Sequence, residues 1–244
     1  MAGNWKMYKT GAETARFFET FRDLVERSEH CEIVICPPYL SVPTAVTAAQ
    51  GTRVSIGAQN LCWGKEGAYT GEVCASMIKA AGCSHVIIGH SERRQYFGET
   101  NETVLKKTLS ALEQGLTPIV CVGETLEHRE SGRTEAVILD HCQGGTSGLT
   151  PEQFGKILIA YEPVWAIGTG KTATPEIAAD AHRVIREHAR KTFGQQAGDQ
   201  LRILYGGSVK PDNVKKLMAQ PEIDGALVGG ASLDPISFAS VVNF

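Results

Sequence analysis

One acidic side chain, Glu162, stands between an apolar run and a segment rich in small residues. Residues 156–161 read KILIAY, which is typical of a short parallel strand buried on both faces, so Glu162 lies at the carboxyl end of that strand. In α/β folds, chemistry collects at this end of the sheet. A carboxylate in such a place can act as a general base, and the residues that follow have the composition of a closing loop.

The segment after Glu162 is therefore predicted to be a lid. Its proline fixes the backbone where the chain leaves the strand, and its glycines supply flexible backbone further along. Thr174 is predicted to cap a helix that begins at Pro175, so the mobile piece lies between two fixed anchors. Loops of this kind exclude water during a reaction. The predicted lid consists of Pro163, Val164, Trp165, Ala166, Ile167, Gly168, Thr169, Gly170, Lys171, Thr172 and Ala173.

A histidine also stands at a strand end. Residues 87–94 read IIGHSERR, which places His90 after an apolar run and Ser91 and Glu92 at the start of a helix. A helix N-terminus disfavours a protonated imidazole, so His90 is expected to stay neutral and to donate one hydrogen bond. The plainer interpretation of an isolated histidine here is a core residue bound to a backbone carbonyl.

Two further elements could bind an anionic substrate. Asn4 and Lys6 place an amide and an ammonium near the end of a first strand, although a lone lysine is usually a solvated surface charge. Glycine pairs follow two later strands, where they could simply form turns. Glycine also lets an oxyanion approach backbone N–H groups, and barrels often bind phosphate after strands seven and eight. The predicted phosphate-binding residues are Gly168, Ser208, Gly229 and Gly230.

The elements that position these residues alternate between strand and helix. Helical apolar spacing occurs at residues 13–27, 104–114, 176–191 and 214–219, and β-rich runs occur at residues 31–36, 54–60, 85–90, 117–123, 157–162, 202–206 and 226–229. Alternation predicts parallel strands with right-handed crossovers. With residues 2–5 as a first strand there are eight units, the usual content of a (β/α)8 barrel. A doubly wound sheet is the alternative, but no Gly-x-Gly-x-x-Gly follows the first strand.

The first strand is unusually short, because only MAGN precedes Trp5. A barrel needs its first strand to close the sheet, since a gap exposes unpaired backbone groups. Two interpretations follow: residues precede Met1 in the intact protein, or the barrel is frayed at this seam.

Three runs together resemble the triosephosphate isomerase family: AYEPVWAIGTG at residues 160–170, GNWKM at residues 3–7 and the run around His90. The resemblance covers nearly the whole chain. It implies a single-domain (β/α)8 barrel, the TIM barrel, over residues 1–244. It also implies interconversion of dihydroxyacetone phosphate and D-glyceraldehyde 3-phosphate, a step of glycolysis and gluconeogenesis. Triose phosphates are then the expected small-molecule partners.

The resemblance also implies roles for individual residues. Glu162 would be the base and neutral His90 the electrophile, an arrangement for which this family is itself a standard example, so these roles are carried over from it. Lys6 would supply positive charge to the phosphate and the enediolate, and Asn4 a hydrogen bond. Glu92 would organise Lys6.

A long loop follows the third predicted strand and includes residues 59–60 and 67–72. A mobile surface loop is the plain interpretation, although exposed loops of this length are commonly functional. In the family this loop reaches into a neighbouring subunit, so the resemblance implies a homodimer. Thr70 would be the tip of the loop, and Glu72 with Arg93 or Glu99 would supply interface charges.

Composition argues against several classes of partner. The 24 basic and 27 acidic residues are mixed along the 244-residue chain, so neither a nucleic acid nor a membrane surface is an expected partner. No apolar run approaches the roughly 20 residues of a membrane span, and the N-terminus lacks signal-peptide features, so a cytoplasmic location is expected by default. The seven cysteines form no CxxC pair and are expected to be reduced, mostly buried thiols. No metal is expected, because no metal-ligand spacing is present, and the resemblance implies no cofactor.

Two alternatives in function stay open. The first is another phosphosugar barrel enzyme, such as an epimerase or an aldolase, which metal dependence or a Schiff base at Lys6 or Lys171 would reveal. The second is a catalytically silent dimer kept for a binding or structural role.

Overall fold

The protein is described by a computed structural model that covers residues 1–168 and 172–244. Eight parallel strands form a closed barrel in sequence order, and each strand pairs with the next. The strands are β1 Ala2–Asn4, β2 Ile33–Cys36, β3 Val54–Ala58, β4 His85–Ile88, β5 Thr117–Val122, β6 Leu158–Tyr161, β7 Arg202–Tyr205 and β8 Gly225–Val228. The predicted (β/α)8 barrel is confirmed, and closure of the sheet excludes a doubly wound fold.

Helices lie between the strands. The α-helices are α1 Gly11–Val25, α2 Val42–Ala49, α3 Ala75–Ala80, α4 Ser91–Tyr96, α5 Asn101–Glu113, α6 Leu126–Glu130, α7 Thr134–Thr146, α8 Pro151–Phe154, α9 Pro175–Phe193, α10 Gln195–Gln200, α11 Val214–Met218 and α12 Pro235–Val242. Short 3-10 helices cover Tyr39–Ser41, Val164–Ala166 and Gly230–Leu233. Among the described helices, none combines the length and the apolar character that a membrane crossing requires.

The seam between the first and last strands is closed. Ala2 pairs with Val34 on one side and with Leu227 on the other, and Gly3 pairs with Val228. The three residues of β1 therefore complete both ladders, and the expectation of a frayed barrel at this seam is wrong. A short strand suffices because the seam needs only enough residues to pair with both neighbours.

Strand alternation divides the core in two. Ala2, Leu158 and Ala160 belong to a buried cluster inside the barrel, whereas Ile159 and Tyr161 belong to the larger cluster beneath the helices. Successive side chains of a strand point to opposite faces, so every second residue points into the barrel; we call these residues the inward series of the strand. The next member of this series beyond the carboxyl end of a strand stands at the barrel mouth. Asn4 continues this series in β1, and Glu162 continues it after β6.

Candidate active site

A cavity of about 340 Å³ opens at the carboxyl end of the barrel. Its lining includes most of the predicted catalytic residues and all of the predicted phosphate-binding residues, namely Asn4, Lys6, His90, Glu162, Gly168, Ser208, Gly229 and Gly230. These positions come from β1, β4, β6, β7 and β8, so closure of the barrel brings them together. Glu92 does not line this cavity and lies behind Lys6.

Glu162 is almost completely buried, with 2% of its surface exposed. Its carboxylate oxygens accept hydrogen bonds from the backbone N–H of Ser91 at 2.9 Å and from its hydroxyl at 3.3 Å. The His90 Nε2 atom lies 2.9 Å from Oε1. Burial alone would raise the pKa of Glu162, but His90, the Ser91 N–H and Lys6 stabilise the carboxylate and bring this pKa below its ordinary value. Glu162 is therefore ionised at neutral pH, as a general base must be.

His90 is the N-cap residue of α4. Its Nδ1 atom accepts the backbone N–H of Glu92 at 3.2 Å, so the proton of the ring lies on Nε2, facing Glu162. Burial lowers the pKa of His90, whereas the carboxylates of Glu162 and Glu92 raise it, and the balance lies above the ordinary value. Protonating the ring would place a second proton on Nδ1, where it would face the backbone N–H of Glu92 and break this hydrogen bond. The hydrogen-bond geometry thus corresponds to neutral imidazole.

The backbone of Lys6 adopts an unusual conformation that its neighbours hold in place. Its φ is 51°, in the left-handed region, which costs a non-glycine residue roughly 1–2 kcal/mol. The N–H of Lys6 donates to the Asn4 side chain at 3.0 Å, and its carbonyl accepts from the Gln59 side chain at 2.8 Å. Its ammonium donates to Glu92 Oε1 at 2.5 Å. Glu92 thus orients the ammonium of Lys6, while Asn4 and Gln59 fix its backbone.

Small residues also line this cavity. A 3-10 helix begins at Gly230, and the first N–H groups of a helix have no acceptor within it. A Cβ atom added at Gly230 would meet no atom of residues 1–168 or 172–244 within 4 Å, so the described residues leave the space in front of this backbone open. Ser208 is fixed by its carbonyl, which accepts from the Asn213 side chain at 3.0 Å. This combination can receive an oxyanion on backbone donors.

The first half of the predicted lid is anchored by a buried carboxylate that sequence reasoning missed. The Trp165 indole donates to Glu124 Oε1 at 2.8 Å, and the Tyr161 hydroxyl donates to the same atom at 3.2 Å. The Arg129 guanidinium lies 3.5 Å from Glu124 and 4.8 Å from the centre of the Trp165 ring. Glu124 was detectable in principle, because it stands two residues beyond β5, at the end of the barrel where Glu162 directly follows β6.

The rest of the lid divides into three parts. Pro163 precedes the 3-10 helix, which begins at Val164, and Ala166, Ile167 and Gly168 line the cavity. Thr169, Gly170 and Lys171 lie outside the described residues. After them come exposed Thr172 and buried Ala173. The predicted helix start is confirmed, since the Thr174 side chain accepts from the N–H of Ile177 at 3.3 Å and Pro175 begins α9.

Two glycines make room for Glu162, and neither role was predicted. A Cβ at Gly206 would lie 2.9 Å from Cγ of Glu162, and one at Gly123 would lie 1.8 Å from its carbonyl oxygen. Both positions tolerate only glycine without movement of the Glu162 segment. Ser91, which binds the carboxylate, was also missed, because its partner lies 71 residues further along the chain.

The predicted dimer residues belong to the long loop after β3 and to α4. Thr70 is exposed on the long loop, whose base is closed by the bond from the Cys62 N–H to the Val73 carbonyl at 2.8 Å. Glu72 and Arg93 line a second cavity of about 370 Å³, and Thr70 does not.

Glu99, the other candidate for an interface charge, is buried in that same region. It accepts from Lys107 and lies 3.5 Å from the Arg93 guanidinium, so its charge is already compensated within the chain.

Other reactive groups contribute little to the site. Burial raises the pKa of the Cys36 and Cys121 thiols, so neither is a nucleophile at neutral pH. Within the described ranges, no group of three or more histidine, cysteine, aspartate or glutamate side chains could hold a metal ion.

Comparisons with known proteins point to one family. A family model described as triosephosphate isomerase matches residues 1–244. The chain is 70% identical to the triosephosphate isomerase of Solibacter usitatus (strain Ellin6076), covering 100% of this chain and 98% of the relative. It is 55% identical to that of Citrifermentans bemidjiense, covering 100% and 97%. It also resembles the crystal structure of triosephosphate isomerase from Bartonella henselae, with a TM-score of 0.90, 39% identity and coverage of 100% and 97%.

Proposed function

The chain belongs to the triosephosphate isomerase family, so it interconverts dihydroxyacetone phosphate and D-glyceraldehyde 3-phosphate, and we propose that Glu162 and His90 carry out this reaction. The supporting observation is their placement: an ionised carboxylate and a ring N–H lie 2.9 Å apart in a cavity that also holds Lys6. Moving one proton between adjacent carbons requires one base and one group that polarises the carbonyl.

The hydrogen bonds of the site indicate how the reaction begins. Glu162 is bound to Ser91 and His90, so its carboxylate must leave these partners to reach a substrate carbon. That movement frees the Nε2–H of His90 to donate to the substrate carbonyl oxygen. It also removes the nearest anion from the ring, which favours neutral imidazole.

The proton transfers then follow. Glu162 takes the proton from the carbon beside the carbonyl, while His90 and Lys6 stabilise the negative oxygen of the enediolate. Glu162 returns the proton to the adjacent carbon. Asn4 supports Lys6 by accepting its backbone N–H, and Glu92 orients its ammonium.

The remaining predicted residues act on the phosphate group and on water. Gly168, Ser208, Gly229 and Gly230 would receive the phosphate, because they line the same cavity as the reacting groups and glycine lets an oxyanion approach backbone N–H groups. The lid, residues 163–173, closes over it from the anchor at Glu124. A closed lid excludes water and disfavours elimination of phosphate from the enediolate.

The organisation of the protein is also part of the proposal. Residues 1–244 form one domain, two copies associate through the loop that carries Thr70, and the enzyme acts in the cytoplasm. Glu72 and Arg93 line the cavity proposed to receive the partner's loop. Sedimentation velocity should give twice the chain mass of 26.3 kDa, and Thr70→Arg should shift the protein towards monomer. A wild type that sediments as a monomer at micromolar concentration would refute the dimer.

One assay tests the reaction against both alternatives. Conversion of dihydroxyacetone phosphate is followed by coupling the aldehyde to a dehydrogenase, with a metal chelator present and after treatment with borohydride. We expect rapid turnover in both conditions. Loss of turnover with chelator would indicate a metal-dependent phosphosugar enzyme, and a borohydride-trapped adduct would indicate a Schiff-base lysine. A folded protein with no turnover would indicate a silent barrel.

A further inference from the structure

A second lysine lines the active-site cavity. Lys210 lies on the loop after β7, two residues beyond Ser208, and its side chain is exposed at the cavity mouth. Apart from Lys6, it is the sole lysine or arginine lining this cavity within the described part of the chain.

The backbone of this loop is fixed by one asparagine. The Asn213 side chain accepts the N–H of Lys210 at 2.9 Å and donates to the Ser208 carbonyl at 3.0 Å. The Lys210 carbonyl in turn accepts the N–H groups of Asn213 at 3.2 Å and of Val214 at 3.1 Å. Lys210 therefore holds a constant position relative to the proposed phosphate end, while its ammonium extends into solvent.

The charges around the reacting groups leave an excess of negative charge. Lys6 is paired with Glu92 at 2.5 Å, and Glu162 is ionised in the cavity that Lys6 lines. Among the described residues, the single ammonium of Lys6 therefore stands beside two carboxylates, those of Glu92 and Glu162. A phosphate monoester is mostly a dianion at neutral pH. Electrostatic repulsion from the carboxylates opposes the approach of this dianion unless another cation compensates their charge.

Lys210 differs from Lys6 in having no partner for its charge among the described residues. Across residues 1–168 and 172–244, its ammonium makes no ion pair or hydrogen bond. A free ammonium at the mouth of a concave, partly apolar cavity focuses its field on an entering anion. At this exposure the attraction extends over about a Debye length, roughly 10 Å at 0.1 M salt.

We propose that Lys210 is a specificity-determining residue that attracts the doubly charged phosphate of the substrate and offsets the negative charge of the catalytic carboxylates. The inference rests on the proposed isomerase function, whose substrates carry that phosphate. Such a residue acts on capture of the substrate and leaves the proton-transfer steps unchanged.

The test compares Lys210→Gln with Lys215→Gln, which removes an exposed lysine of α11 that does not line the cavity. Both variants change the net charge equally, and both sites are exposed, so both proteins should fold. At about 10 mM ionic strength we expect kcat/KM of Lys210→Gln to fall about 3- to 10-fold with kcat changed less than about twofold. The ratio of wild-type kcat/KM to that of Lys210→Gln should approach unity near 0.5 M salt. Lys210→Arg should retain wild-type kcat/KM.

Inhibition by inorganic phosphate provides a second readout. Its inhibition constant should rise for Lys210→Gln by a similar factor and stay unchanged for Lys215→Gln. An equal loss of kcat/KM in both variants would show a general effect of net charge and would overturn the proposal. A loss that persists at high salt, or that falls on kcat, would also overturn it. A wild type without turnover in this assay would instead refute the isomerase function.

Discussion

Glu162 and Glu124 are two buried glutamates that follow neighbouring strands at the same end of the barrel, yet their surroundings differ completely. Glu162 continues the inward series of β6 and opens onto the active-site cavity with His90 beside it. Glu124 lies on the outward series of β5, with Val120 and Val122, and is enclosed by Tyr161, Trp165 and Arg129. Strand alternation therefore decides which carboxylate opens onto the cavity, where we propose that it meets substrate, and which one binds the Trp165 indole behind it.

The comparison shows that a strand-end acid is not in itself a catalytic residue. A base needs a cavity in front of it and partners that it can leave, such as Ser91 and His90. An anchor needs several simultaneous donors and no access to substrate. Variants of the two regions should accordingly damage different properties.

The largest effect is expected for Glu162→Gln, which removes the base with little change in shape. Turnover should fall on the order of 10³-fold, because general base catalysis contributes about 10² to 10⁴. Steady-state kinetics would measure kcat and KM, and KM should change much less. Glu124→Gln is the matched control; equal losses of kcat in the two carboxamide variants would remove the distinction between the regions.

A smaller but still large effect is expected for His90→Asn. Asparagine also caps helices, so α4 should be preserved while the ring N–H is lost. We predict a fall in kcat of about 10²-fold, since loss of one oxyanion donor costs about 10² to 10³. Circular dichroism would check the fold, and a fall in kcat of less than about fivefold would contradict the electrophilic role.

On the anchor side, Glu124→Gln and Trp165→Phe should act on the lid. Each variant weakens the bond between the indole and the carboxylate, so kcat should fall about 3- to 10-fold and more enediolate should escape as methylglyoxal. The double variant should be less than additive, because both changes remove the same interaction. Full additivity, or an unchanged ratio of methylglyoxal to triose phosphate, would show that the bond between Trp165 and Glu124 does not control closure of the lid.

The smallest effect on turnover is expected at His182, which packs edge-on against Tyr161 at 5.8 Å behind the anchor. Burial lowers the pKa of His182 to about 3. Below about pH 6.5, His182 therefore binds a proton in the unfolded chain but not in the folded protein. Stability should consequently be lost as pH falls from 6.5 towards 3.

Replacement by a group that does not titrate should reduce this pH dependence. For His182→Asn, the difference in unfolding free energy between pH 8 and pH 5 should shrink by about 2 kcal/mol. Urea unfolding at both pH values would measure it, with His30→Asn as a control on a less buried ring. Identical pH profiles for wild type and His182→Asn would rule out this contribution.

Much of the fold was predictable because its signals are local. Apolar runs located seven of the strands to within a few residues; β8, for example, begins at Gly225 where residue 226 was predicted. The first strand was assigned to residues 2–5 without such a run. Short helices such as α6 and α8 were missed, since they hold too few residues to show an apolar period. Closure at β1 could not be predicted, because it depends on pairing with β8 at the far end of the chain.

The site was predictable where residue type and strand position coincide. Glu162, His90 and Lys6 stand out as chemically active groups at strand ends. The residues that hold these groups in place do not stand out in the sequence. The hydrogen bonds from Ser91 to Glu162 and from Gln59 to Lys6 join residues that are distant in sequence. Likewise, the need for glycine at Gly206 follows from contact with Glu162 and not from any local turn.

The central claim is that Glu162, and not Glu124, moves the proton. Its most direct test is deuterium incorporation into the carbon beside the carbonyl of dihydroxyacetone phosphate in D2O, followed by NMR. Wild type and Glu124→Gln should exchange readily, and Glu162→Gln should lose exchange together with isomerisation. Exchange by Glu162→Gln at a rate near that of the wild type would contradict the account.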